Sequence, residues 1–495
     1  MDKYKLTHPA LRLSPLSQAE RRFLERYRPG GLCLFRGEYT ELEDVMRLMN
    51  ELYDLLGPET LISVDQEGGS VLRLPQLPSS PGAMALASGD DEERTYRIAR
   101  GMARGLRALG FNVNLGPVLD INNNPANPVI CERAFGEDPD TVTRHALAYL
   151  RAHQDQGIMA VGKHFPGHGD TDVDSHHDLP VLDKTLEELE ATELRPFRAA
   201  FAAGLGGLMT AHIRFPRIGE LPATLSPEIL GYAREVLGFD GLIYTDALDM
   251  RALLDRYPQH LAAELAVLAG ADAALVKEDE DAPERHARIL EAFDPDPRAA
   301  ERSLARWRRA VQRFPLRRPD PALLEAVLSD TELQRDIEAA AAAASSFTGR
   351  PPLPIGRGER VLLLAPFGSD GGSASNPVTV YDRLAAPLRE AFVHLEVLHY
   401  DPVSPDLAAV SRSARTADAV VMATCRRVNM VPGELQLAAQ LAQHPRAVHA
   451  NLWNPYLSHG FPLPSVNTFG FGAASLRALA HTLATGEAPG RIHVA

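Results

Sequence analysis

Between Pro29 and Lys277 short apolar runs alternate with longer amphipathic stretches, and this rhythm restricts the fold more than any other feature of the chain. The runs are GGLCLF from Gly30, TLISVDQ from Thr60, FNVNLGPVLDI from Phe111, GIMAVGKHF from Gly157, GLGGLMTAHI from Gly204, GLIYTDAL from Gly241 and ADAALVKE from Ala271. Each has the length of a strand buried on both faces. Between them lie helical patterns such as EERTYRIARGMARGLRALG, Glu92 to Gly110, which ends on a glycine stop. Repeated β–α units imply a parallel sheet covered by helices, either closed into a barrel or open and doubly wound. The polar residues favour the barrel. Asp65-Gln66-Glu67 follow the second run, Asp120 the third, Lys163-His164 the fourth, His212 the fifth, Asp246 the sixth and Lys277 the seventh. In a barrel the C-terminal strand ends converge on one pocket, whereas an open sheet gathers such residues at one crevice. Seven strands are legible and the eighth is not.

At 495 residues the chain exceeds a single ordinary core. Residues 283–346 read as helical and include the alanine-rich DIEAAAAAASS. GRPPLPIGRGE, Gly349 to Glu359, has the prolines and glycines of a linker. The alternation then resumes with RVLLLAP, HLEVLHY, DAVVMATC, AVHANLW and SVNTFGFG. The expected class is therefore α/β: a (β/α)8 TIM-like barrel domain over residues 1–348, a linker at 349–359 and a smaller α/β sandwich domain over 360–495. The GSDGGSASNP segment, Gly368 to Pro377, lacks the lysine and spacing of a phosphate loop and reads as a surface loop.

Composition narrows the function classes. Apolar residues make up 45% and charged residues 23%, enough to bury a large core without disulfides. The three cysteines, Cys33, Cys131 and Cys425, are far apart, so neither a disulfide framework nor a structural zinc site is expected, and a reducing cytoplasm fits. MDKYKLTHPALRLSPLSQAERRF lacks the apolar core of a secretory signal, and no apolar run is long enough to span a bilayer. A net charge of −14 argues against sequence-independent binding to nucleic acid or to anionic membranes. The arginine-rich patch from Arg302 to Arg318 reads as a solvated helix face.

Chemistry concentrates in Lys163 to Pro180, KHFPGHGDTDVDSHHDLP. A loop this polar directly after an apolar strand is costly to bury unless it binds something. Three readings compete. Histidine and aspartate suit a metal, but no HExxH or similar helical ligand spacing is present. A solvated loop with incidental histidines is the plain alternative. The third reading is proton transfer, because Asp174 and His176 are two apart and in an extended loop point the same way. The carboxylate then fixes the imidazole tautomer and stabilises its protonated form. Asp246, just after a strand, offers a nucleophile at the pocket rim. Asp249, three residues on, reads as a helix-start charge.

Six stretches, in order, resemble the β-N-acetylhexosaminidases of glycoside hydrolase family 3. They are ISVDQEGGSVLRL from Ile62, NVNLGPVLDI from Asn112, ERAFGEDP from Glu132, KHFPGHGDTDVDSHHDLP from Lys163, GLMTAHI from Gly207 and TDALDM from Thr245. The resemblance implies that Asp246 is the nucleophile of a retaining mechanism, His176 the acid/base and Asp174 its dyad partner. It implies that Asp65, Arg73, Arg133, Lys163 and His164 bind the N-acetylglucosamine ring. It also implies a small carbohydrate as substrate, with peptidoglycan fragments ahead of chitin oligosaccharides, and neither metal nor cofactor. Two departures stand out: Ser70 replaces the first arginine of a frequent DQEGGRV, and Ala247 removes a carboxylate beside the nucleophile position. A phosphorylase built on the same residues is the closest alternative, since a histidine acid/base would not repel phosphate.

Overall fold

The computed structural model describes residues 2–176, 178–277, 283–367 and 380–491. Eight parallel strands form the first sheet: β1 (Thr7–Arg12), β2 (Gly31–Phe35), β3 (Leu61–Val64), β4 (Val113–Asn114), β5 (Met159–Phe165), β6 (Gly207–Thr210), β7 (Leu242–Tyr244) and β8 (Ala274–Val276). From β1 to β7 each strand pairs with the next, and β8 pairs with β1, Thr7 opposite Ala274. The β7–β8 seam is held by a single bridge, Tyr244 to Ala273, and by Thr245 N–H donating to Ala273 O at 2.9 Å. The sheet is thus a nearly closed TIM-like barrel.

Strand alternation explains why these runs close up. On β2, Leu32 and Leu34 point outward into a layer with Phe23, Leu48 and Leu52 of the surrounding helices, while Cys33 points inward. Leu61, Val113, Met159, Val161, Leu242 and Leu275 join Cys33 in the barrel interior. The helix Pro297–Arg313 closes the N-terminal floor: Trp307, Ala310, Val311 and Phe314 pack into that interior core, and Trp307 Nε1–H donates to Gly30 O at 3.0 Å. Its arginines lie on the other side, where Arg306 and Arg309 meet Asp240 and Asp272.

The eighth strand, illegible in the sequence, is β1, THPALR. Pro9 interrupts its donors and only Ala10 and Leu11 are strongly apolar, so neither composition nor alternation marks it. β4 is short because the Asn114 side chain takes over part of the ladder. Its Oδ1 accepts from Gln66 N–H and its Nδ2 donates to Gln66 O, both at 3.1 Å.

The second sheet has six strands: β9 (Ser346–Thr348), β10 (Arg360–Pro366), β11 (His394–Tyr400), β12 (Ala419–Thr424), β13 (Ala447–Asn451) and β14 (Ser465–Asn467), in the order β9-β14-β13-β12-β10-β11. All pairs are parallel except β9 with β14. One face of β10 packs Val361 and Leu363 under helices Val380–Ala391 and Ala473–Thr485. The other packs Leu362 and Leu364 under Leu407–Ala414 and Pro432–Leu441, which makes an α/β/α sandwich. Two details move the boundary expected at residues 348–360. Ser346–Thr348 already pairs with this sheet, and Ile355, inside the expected linker, is buried in its core. A short strand of three residues between an alanine-rich helix and a proline run leaves no sequence signal. The Gly368–Pro377 loop lies outside the described residues.

Candidate active site

The C-terminal ends of the barrel strands surround one pocket. Asp65, Arg73, Arg133, Lys163, His164, His176 and Asp246 line it together with Phe35, Glu67, His168, Met209, Met250 and Lys277. Seven of the eight residues expected from the sequence therefore meet there. The eighth, Asp174, stands behind His176: its Oδ1 accepts from the His176 ring Nδ1–H at 2.7 Å and from the His176 backbone N–H at 2.9 Å. This pair of bonds assigns the proton to Nδ1 and leaves Nε2 as the nitrogen that can exchange one. The His176 side chain keeps 30% of its exposure, so the pair sits at the pocket's open side.

The floor is an alternating chain of ions. Arg73 lies 3.2 Å from Asp65, Lys163 lies 2.9 Å from Asp65 and 2.5 Å from Glu67, and Arg133 grips Glu67 with two bonds of 2.8 and 2.9 Å. Such a chain tolerates burial because every charge has an opposite neighbour. Burial pushes the Asp65 and Glu67 carboxyls upward, but Lys163 with Arg73, and Arg133 with Lys163, outweigh it and hold both below the usual range. Burial likewise opposes the charge of Lys163, yet Asp65 and Glu67 raise its pKa. The result is a row of fixed donors and acceptors able to hold a polyhydroxylated ligand without reorganising.

Asp246 follows β7, and its Oδ1 accepts from the Ala247 N–H at 2.7 Å. Burial raises its pKa, but the imidazoles of His212, His164 and His176 and the Ala247 N–H bring it below the ordinary value. At neutral pH it is a carboxylate. Asp249 does not cap a helix: the short helix Arg251–Leu254 starts from Met250, and Asp249 instead pairs with Lys277 at 2.9 Å. Asp249 stands one residue before the Met250 N-cap.

Four residues outside the expected set complete the arrangement. Glu67 is one. Asp120, fully buried after β4, accepts from the His164 ring Nδ1–H at 2.6 Å and from the backbone N–H groups of His164 and His168 at 3.1 and 2.7 Å. His168 spans the loop, with Nδ1 2.9 Å from Thr171 Oγ1 and Nε2 3.0 Å from Ser175 Oγ, the neighbour of His176. Burial lowers its pKa to about 4. His212 Nε2–H donates to Ala247 O at 2.9 Å and Nδ1 meets Thr224 Oγ1 at 2.7 Å, so it braces the turn that carries Asp246. Asp120 and His212 were visible as strand-end polar residues and Glu67 beside Asp65, but only distances reveal their partners. Asp170 pairs with Lys184, away from Asp174. Among the described residues, no group of three His, Cys, Asp or Glu side chains is placed to hold a metal ion.

Residues 5–305, more than half of the chain, match the glycosyl hydrolase family 3 N-terminal domain. A β-hexosaminidase of Thioalkalivibrio sulfidiphilus is 37% identical over 297 residues, covering 57% of this chain and 82% of that protein. A β-hexosaminidase of Alkalilimnicola ehrlichii is 34% identical over 332 residues, covering 62% and 94%. The structure of a glycoside hydrolase family 3 β-N-acetylglucosaminidase from Paenibacillus sp. str. FPU-7 is similar over both sheets, with a TM-score of 0.89 and 30% identity, covering 99% of this chain and 97% of the other. A barrel with this pocket and these relatives is a glycosidase, and the chain belongs to glycosyl hydrolase family 3.

Proposed function

We propose that the chain removes terminal β-linked N-acetylglucosamine with retention of configuration, by a covalent glycosyl–enzyme intermediate. The observation that carries this reading is one pocket holding an ionised aspartate and an Asp–His pair, with the ion chain beneath them. In the first step an Asp246 oxygen attacks the anomeric carbon as the glycosidic C–O bond breaks. The leaving oxygen takes the proton from Nε2 of His176, whose charged form Asp174 stabilises. In the second step neutral His176 takes a proton from water, the water oxygen bonds to the anomeric carbon, and the bond to Asp246 breaks. Asp65, Arg73, Arg133, Lys163 and His164 hold the sugar ring and its acetamido group. The natural substrates are small peptidoglycan fragments in the cytoplasm.

The test uses a chromogenic β-N-acetylglucosaminide. Asp246→Ala should lower kcat by on the order of 10³-fold or more, and turnover near that of the wild type would rule out the nucleophile. His176→Ala should slow poor leaving groups about 10²-fold more than activated ones, the range of a lost general acid. In phosphate buffer the product should be free N-acetylglucosamine; the 1-phosphate would instead make the enzyme a phosphorylase.

A further inference from the structure

Arg133 reaches the pocket from an unusual piece of backbone. It ends the short 3-10 turn Cys131–Arg133, whose first residue adopts a left-handed conformation with φ 44° despite its Cβ. A side chain rarely settles there unless neighbours over-determine it. Here the neighbours come from both sheets.

Three side chains beyond the C-terminal ends of β12 and β13 converge on this turn. Trp453 Nε1–H donates to Glu132 Oε1 at 2.6 Å, sharing that oxygen with the Ser70 hydroxyl at 2.7 Å. Tyr456 OH accepts from Asn122 Nδ2 at 3.1 Å, and the same Asn122 accepts through Oδ1 from the Cys131 N–H at 2.9 Å. Arg427 Nη2 donates to Val129 O, the carbonyl that also accepts from Arg133 Nη1 at 3.0 Å. All nine residues in these contacts, Ser70, Asn122, Val129, Cys131, Glu132, Arg133, Arg427, Trp453 and Tyr456, are buried. Phe469 and Tyr456 pack against Cys131 from the same side. The turn is therefore gripped at its carbonyl entry, its strained residue and its central carboxylate, all from the second sheet.

We infer that Trp453, Tyr456 and Arg427 are positioning residues for the sugar subsite, so that the C-terminal domain is a working part of the active site through Arg133. The inference rests on the proposed role of Arg133 in holding the sugar. A guanidinium whose reach is fixed by a two-bond grip on Glu67 has little freedom to compensate when its backbone moves. Loss of the clamp therefore weakens sugar binding more than bond cleavage.

In the full chain, Trp453→Phe keeps an aromatic ring but removes the donor together with part of the buried indole, and Tyr456→Phe removes only the hydroxyl. Each should raise KM for an aryl β-N-acetylglucosaminide about tenfold, equivalent to about 1.4 kcal/mol, with kcat within about twofold. In an Arg133→Ala background the same substitutions should change KM by less than about twofold, because the group they position is gone. An unchanged KM in both single variants, or an equal rise with and without Arg133, overturns the inference. If Arg133→Ala itself leaves KM unaltered, the role of Arg133 falls first and this inference with it. Should Trp453→Phe fail to fold, Tyr456→Phe alone carries the test.

Discussion

Asp120 shows how much a single buried charge can organise. It is wholly enclosed, and three N–H groups of His164 and His168 converge on its two oxygens. Burial raises its pKa, but His164 more than offsets this and keeps the carboxyl below its ordinary value. The carboxylate also fixes the tautomer, since His164 must present Nδ1–H to it. Asp120→Asn keeps the shape but sets an amide N–H₂ or a single carbonyl against donors that need two acceptors. It should cost about 3 kcal/mol, as expected when one partner of a buried pair is lost, read by denaturant unfolding at pH 7. It should also lower kcat/KM by about 10²-fold, the scale of a misplaced site group. A variant with the unfolding midpoint and kcat/KM of the wild type would show that the carboxylate is dispensable. In the sequence Asp120 is only one more polar residue after a strand. What distinguishes it, three donors at hydrogen-bond distance, depends on residues more than forty positions away.

At the scale of elements, the loop after β5 is seated rather than free. Gly169 lies directly against the exit of β4, where an added Cβ would come within 1.6 Å of Ile121 O and 2.5 Å of its carbonyl carbon. Those are backbone atoms and cannot swing aside. Nearby, Asn127 Nδ2 donates to the carbonyls of His168 and Gly169 at 2.8 and 3.0 Å, and His168 ties back to Ser175. Gly169→Ala should therefore displace the whole segment leading to Asp174 and His176. The expected result is a fall in kcat of about 10²-fold or more with the barrel's far-UV circular dichroism preserved; kcat within twofold of the wild type would mean that the loop absorbs the shift elsewhere. The motif KHFPGHGD makes this loop conspicuous in the sequence. That Gly169 is a contact surface, with its φ in the ordinary range, emerges only from the neighbouring strand.

At the scale of the whole molecule, burial of histidines makes stability depend on pH. Burial lowers the pKa of His8 and His449 to about 3 and that of His145, His153 and His168 to about 4, against 6.5 for an exposed ring. Below pH 6.5 the unfolded chain takes up protons at these rings that the folded chain refuses. The stability they contribute is thus complete above about pH 6.5 and is lost as pH falls toward 4, by up to about 1.4 kcal/mol per pH unit for each ring. The carboxylates Asp65, Asp120 and Asp246, held below 3.8, lose their contribution only at lower pH. Denaturant unfolding at pH 7, 6 and 5 should show stability falling by several kcal/mol over this range, and a flat profile would contradict the buried neutral rings.

By itself the sequence determined the things that repeat or follow at once along the chain. Apolar runs buried on both faces implied a parallel sheet, and polar residues at six strand ends favoured a barrel with one mouth, because strand direction places every such end on the same side. The tertiary structure alone decided what has no local period. It added β1, whose proline and histidine disguise a strand; the β9 pairing, which carries the second sheet back across the expected linker; and the ion chain through Glu67. It also brought Trp453 to Glu132 across 321 positions. Periodicity reports which face of an element is buried, whereas a hydrogen bond between distant residues depends on how whole layers come together, and that information is spread over the entire chain.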